Sequence, residues 1–261
     1  MVNERFEIIG LGKVDKNWLD LRPNLKVIGC NCTGLDHVDF NECKKRGVKV
    51  FSLKDEKDFL SRIVSTAEHT IGLIFALLRN YKMALNPPYQ NREAYKGHTL
   101  KGKKLGIIGY GRVGRQVADR LQWFEIEIFT FDKYDPLYTL RRLLEKSDLV
   151  SIHIPLEGNE GFFTKEMFSK MKPTACVINT SRDKVIQKGS LLWALQNKII
   201  AGAAIDFIDD PELLEYSKMH NNLILTNHIG GVTVEDMVKT EEFIKNKVKI
   251  YLNETKIKNN N

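Results

Sequence analysis

An α/β fold is predicted by three features of this 261-residue chain. Short apolar runs alternate with stretches of helical periodicity, the pattern of helices layered on a parallel sheet. Residues 103–132, KKLGIIGYGRVGRQVADRLQWFEIEIFTFD, read as strand, glycine turn, helix and a second strand closing on an acid. The later apolar runs stop at polar or small residues, and open α/β sheets bind their ligands beyond such strand ends.

In chain order, strands are expected at 6–10 (FEIIG), 25–31 (LKVIGCN) and 48–53 (VKVFSL). A long helix follows in STAEHTIGLIFALLRN, where Ser65 and Glu68 stand at capping-box spacing. Its apolar residues Ile71, Leu73, Ile74, Phe75, Leu77 and Leu78 exceed one buried face. They predict a helix covered on several sides, in part by another subunit.

The strand from Leu105 to Ile108 then enters Gly109, Gly111 and Gly114. In a dinucleotide site the first glycine permits the tight turn and the second lets backbone approach a pyrophosphate. The third lets helix pack on strand. The helix N-terminus adds amide donors and partial positive charge for the phosphates. Asp132 is placed to bond a ribose 2′-hydroxyl and would repel a 2′-phosphate, so NAD is expected over NADP. Further strands are expected at 149–154, 175–181, 199–206 and 223–229. His153, Thr180, Ser181, Arg182, Asp206, Asn227 and His228 then fall at one rim of the sheet.

Composition narrows the function classes. The formal charge of +7 is spread along the chain, which predicts a lysine- and asparagine-rich surface and no nucleic-acid partner. No apolar run approaches the roughly 20 residues of a membrane span, and the start MVNERFEIIG lacks signal-peptide character. Cys30, Cys32, Cys43 and Cys176 have neither metal nor disulfide-framework spacing. They are expected as reduced thiols in a cytoplasmic protein that holds no metal.

A nicotinamide cofactor carries the hard part of hydride transfer, so the protein needs few groups. A cation must hold a substrate carboxylate, and Arg182 offers a planar, permanently charged fork. A proton donor must serve the oxygen that changes between carbonyl and alcohol, and a histidine such as His228 titrates near neutrality. An acid from Asp209, Asp210 and Glu212 would orient that histidine and favour its charged form. Each residue alone also has a structural reading, His153 included. Their joint placement beside a dinucleotide turn carries the argument.

These segments resemble the D-isomer-specific 2-hydroxyacid dehydrogenase family, its phosphoglycerate dehydrogenase branch in particular. The resemblance runs from about residue 6 to 250 through LKVIGCNCTGLDHVDFNECKKRGVKVF, STAEHTIGLIFALLRN, LKGKKLGIIGYGRVGRQVA, VINTSRDKVIQKGSLLWAL, AGAAIDF and LTNHIGG. It implies a Rossmann-type NAD-binding domain over 63–235. A smaller, truncated flavodoxin-like substrate domain is implied from 1–62 with 236–261. It further implies that Arg182 binds the carboxylate and polarises the keto group, and that His228 is the general acid and base. Asp210 would orient His228, and backbone at Cys32, Thr33 and Gly34 would hold the substrate. Arg112, Val113, Asp132, Thr180, Asp206 and Gly230 fall where the family contacts NAD. With Gly109, Gly111, Gly114, His153, Pro155 and Ser181 they make up the expected cofactor set.

Homodimers through the cofactor domain are common in the family. Three departures stand out: Asp210 before Pro211 in place of a Glu one residue later, Asp183 in place of a Gly, and a shortened N-terminus. The expected activity interconverts a D-2-hydroxy acid and its 2-keto acid, phosphoglycerate and glycerate/hydroxypyruvate being examples. The alternative is an NAD-binding regulatory protein with little or no turnover.

Overall fold

A computed structural model describes residues 5–85, 92–133, 139–206 and 209–259. The chain forms two compact units, Met1–Ile63 with Thr233–Asn261, and Val64–Val232.

The first unit holds β1 (Phe6–Ile9), α1 (Lys16–Asp20), β2 (Val27–Cys30), α2 (Phe40–Lys45), β3 (Lys49–Phe51), α3 (Lys57–Leu60) and α11 (Val234–Asn259). Its three strands pair in parallel in the order β1-β2-β3. Central β2 is buried throughout, as a parallel strand covered on both faces must be. Ile28 and Cys30 pack with Leu19, Leu25 and Cys43, whereas Val27 packs with Leu53, Leu60, Ile244 and Val248. A side chain at Gly29 would meet Ile244 of α11 at 2.5 Å, so glycine is what admits that helix.

The second unit holds α4 (Ser65–Leu78), α5 (Tyr81–Ala84), β4 (Lys104–Ile108), α6 (Arg112–Leu121), β5 (Glu127–Phe131), α7 (Leu140–Lys146) and β6 (Leu149–Ile152). It continues with α8 (Lys165–Phe168), β7 (Cys176–Asn179), α9 (Ser190–Gln196), β8 (Gly202–Asp206), α10 (Pro211–Met219) and β9 (Leu223–Thr226). Six strands form one sheet in the order β5-β4-β6-β7-β8-β9, all pairs parallel. The order reverses between β4 and β6, the switch point where open α/β sheets leave a crevice for ligands. One face carries Phe163, Phe168, Leu143 and Leu195, and the other carries Ile74, Leu105, Val117 and Leu121.

The anticipated strands are present, most of them trimmed by a residue or two at their polar ends. The capping box at Ser65 is not formed. Val64 is the N-cap, with no side-chain cap bond, and its carbonyl accepts from the Ala67 and Glu68 amides. Ser65 is already inside the helix and buried, so its hydroxyl cannot stand outside as a cap. α4 packs against α6, β7 and β8 of its own unit, leaving Glu68, Gly72 and Arg79 exposed. A tie with no sequence signal runs from Lys82 of α5. Its ammonium donates to the carbonyls of Ser217, His220 and Leu223, and burial lowers its pKa. No helix among the described residues is long and apolar enough to cross a membrane.

Candidate functional site

The glycine turn is built by sterics. Gly109 has φ +92°, and an added Cβ would lie 2.6 Å from the His153 carbonyl oxygen. Gly114 is buried on α6, and a Cβ there would lie 2.2 Å from the Gly109 carbonyl oxygen. Gly111 is different: among the described residues, a side chain on it would meet no atom within 4 Å beyond its chain neighbours. Those residues leave room for a side chain there, whereas a ligand lying on the backbone would fill it.

α6 starts at Arg112 with no side-chain cap, so its first amides and the positive end of its dipole point toward the strand ends. Arg112 and Val113 are half-buried in this first turn. Asp132 directly follows β5, and its Oδ2 accepts from the Tyr110 amide at 3.0 Å. The acid therefore closes the turn from the neighbouring strand.

Past β6, His153 Nε2 lies 2.8 Å from Ser151 Oγ. Desolvation takes its pKa down to about 4, so the ring is neutral at physiological pH. Pro155 follows, exposed.

Past β7, buried Asn179 organises the turn. Its Oδ1 accepts from the Ser181 amide at 2.9 Å and the Ser181 hydroxyl at 2.7 Å, and its Nδ2 donates to the Arg182 carbonyl at 2.8 Å. Thr180 Oγ1 lies 2.8 Å from Thr70 Oγ1 of α4. Arg182, half-buried on extended backbone, donates from Nη1 to the Ser181 carbonyl. Asp183 then bonds the Asp209 amide at 3.3 Å, joining the segments that follow β7 and β8.

The densest network lies at the ends of β8 and β9. Asp206 is only 2% exposed. Its Oδ1 accepts from Thr226 Oγ1 at 2.7 Å and the Ile229 amide at 2.9 Å, and its Oδ2 from the Gly230 amide at 2.7 Å. His69 Nε2 of α4 lies 3.5 Å from Oδ1 and 3.2 Å from Thr226 Oγ1. Burial opposes ionisation of Asp206, but these donors outweigh it and hold the pKa at about 2. A Cβ at Gly230 would meet Asp206 Oδ2 at 2.7 Å. Between the bonded residues sits His228, a non-glycine at φ +55°. Such a backbone costs on the order of 1 kcal/mol and persists where its surroundings hold it.

All these strands are parallel, so Gly109, His153, Thr180, Arg182, Asp206 and His228 share one edge of the sheet. Cys32, Thr33 and Gly34 lie past β2 in the other unit, where Cys32 Sγ is 3.3 Å from the Gly34 carbonyl. No cysteine is in a disulfide. Burial pushes the Cys30 thiol up to about 12 and makes it inert. No cluster of metal-ligating side chains occurs among the described residues.

Asp210, expected to orient His228, is the N-cap of α10. Its Oδ1 accepts from the Glu212 and Leu213 amides at 3.0 and 3.4 Å, capping α10 with Pro211 at the first helical position. The acid joined to the His228 turn is Asp206. His69 and Asn179 were not among the residues singled out in the sequence. A helical histidine and a strand-end asparagine signal little until the folded sheet shows what they face.

Residues 71–230 match the family model described as D-isomer specific 2-hydroxyacid dehydrogenase, NAD binding domain. A glyoxylate reductase of Thermofilum pendens is 36% identical over 245 residues, covering 85% of this chain and 70% of the relative. A D-3-phosphoglycerate dehydrogenase of Bacillus subtilis is 32% identical over 238 residues, covering 85% of this chain and 44% of the relative. Among solved structures, D-lactate dehydrogenase from Aquifex aeolicus, complexed with NAD and lactic acid, superposes with a TM-score of 0.76. It is 26% identical, over 95% of this chain and 83% of that one.

Proposed function

The chain belongs to the D-isomer specific 2-hydroxyacid dehydrogenase family, and from that premise we propose that it interconverts a D-2-hydroxy acid and its 2-keto acid with NAD. The carrying observation is the shared sheet edge: Arg182 after β7 and His228 after β9 stand on the same rim as the uncapped start of α6. The residues present fit the cofactor. Gly111 leaves open space over backbone, the α6 amides suit a pyrophosphate, and Asp132 at the end of β5 suits a ribose diol.

When bound, the cofactor supplies or removes hydride at the substrate's C2. The chain's own groups do the rest. The Arg182 fork grips the substrate carboxylate. His228 gives its proton to the carbonyl oxygen as the alcohol forms and takes it back in the reverse direction. Asn179 sets the Arg182 turn, and Asp206 sets the His228 turn. In this reading the unit around β2 is the substrate domain, with Cys32, Thr33 and Gly34 as its loop. We further assign a homodimer and a cytoplasmic location, the latter suited to reduced thiols. Glyoxylate, hydroxypyruvate, its 3-phosphate and pyruvate are the candidate keto acids.

NADH oxidation against that panel, beside a direct NADH titration, tests the reading. The expected result is turnover with at least one acid, reduced at least about a hundredfold in His228→Ala while NADH affinity stays within about twofold. NADH binding without turnover on any acid would favour the regulatory alternative.

A further inference from the structure

Resting on the reading of His228 as proton donor, we propose that His69 is a positioning residue that holds the His228 turn through Asp206 and Thr226. Asp206 is ionised and can only accept. Thr226 has one hydroxyl proton, which goes to Asp206 Oδ1 at 2.7 Å. The oxygen of Thr226 therefore meets His69 Nε2 at 3.2 Å as an acceptor, so Nε2 must carry a proton. That same N–H faces Asp206 Oδ1 at 3.5 Å. The imidazole also lies against the turn itself, since its Cδ2 is 3.6 Å from where a Gly230 side chain would begin.

The consequence runs from α4 to the chemistry. Asp206 bonds the Ile229 and Gly230 amides, the two residues after His228. Those bonds keep His228 at φ +55°, which an L-residue leaves readily when unsupported. His69 keeps the carboxylate and the Thr226 hydroxyl in the orientation that makes those bonds. Without its N–H, Thr226 and Asp206 keep only their bond to each other on this side, and the turn gains an alternative conformation. The proton donor then spends less time where the substrate oxygen needs it, and small misplacements cost rate steeply.

Two substitutions separate the hydrogen bond from mere packing. His69→Leu keeps bulk and removes the donor, whereas His69→Gln places an amide N–H at similar reach. His69→Leu should lower kcat about tenfold with little change in KM for the keto acid or in NADH affinity, and His69→Gln should recover most of that loss. In parallel, NMR of histidine labelled at Cε1 reads the ring of His228 directly, its signal identified by its loss in His228→Gln. That signal should move or broaden in His69→Leu and return toward its original place in His69→Gln. Unchanged kcat and an unchanged His228 signal in His69→Leu would overturn the proposal. Equal damage in both variants would also overturn it, since the donor would then be irrelevant. If the unaltered protein turns over no acid, the enzymatic reading fails, while the NMR comparison still decides whether His69 holds the turn.

Discussion

The turns after β4 and β9 both leave the same sheet edge, yet they are specified in opposite ways. After β4 the chain is shaped by missing side chains: Gly109 at φ +92°, and Gly114 where a methyl would collide with backbone. After β9 it is shaped by a buried group from another strand. Asp206 of β8 bonds Thr226, Ile229 and Gly230 and so holds His228 in a conformation that glycine would adopt unaided. The first device is local and steric, whereas the second is long-range and electrostatic. The first suits a cradle that only has to be open. The second suits a turn whose residue carries a side chain, which glycine lacks.

The contrast makes the first turn the more brittle. Gly114→Ala puts a methyl 2.2 Å from the Gly109 carbonyl oxygen, so α6 must move off β4. A loss of about 3 kcal/mol in unfolding free energy is expected, with NADH affinity falling about a hundredfold. Denaturant titration and NADH fluorescence measure both, and undiminished binding would show that the turn does not hold the cofactor.

The second turn should betray itself in acid. Asp206 has its folded pKa at about 2 against 3.8 for the free group. Its contribution, about 2 kcal/mol, is thus complete above pH 3.8 and lost as the pH falls through about 2. Asp206→Asn should be less stable at neutral pH by a similar amount and should lack that acid-dependent step. Parallel stability curves for the two proteins would show that the carboxylate does not hold the turn by its charge.

The smallest effect is expected at Asp132, which touches the first turn from outside through the Tyr110 amide. Asp132→Ala should weaken NADH about tenfold and narrow its preference over NADPH. An unaltered NADH to NADPH ratio would overturn the ribose contact and leave the residue its bond to the Tyr110 amide.

How far the sequence could be read follows the same divide. Gly109, Gly111 and Gly114 were legible because their spacing and the strand–turn–helix context around them are local in the chain. Arg182 and His228 were legible as strand-end residues, since parallel strands bring their carboxyl ends to one edge. Ser65 misled, because capping-box spacing says nothing about whether the hydroxyl will be buried. Asp210 was legible as an acid beside Pro211, but its cap on the Glu212 and Leu213 amides was not singled out. His69 and Lys82 carried no signal at all. Their partners, Asp206 and Ser217, are more than a hundred residues away.

By itself, the sequence determined the parallel α/β architecture, the dinucleotide turn and the residues at the strand ends, because apolar periodicity and the spacing of the turn glycines are local features of the chain. Only the tertiary structure decided which acid bonds the backbone beside His228, which helix reaches that turn, and what surrounds a histidine at φ +55°. Those depend on hydrogen bonds between α4, β8 and β9. Such bonds gain their strength from burial, and burial exists only once the sheet has formed.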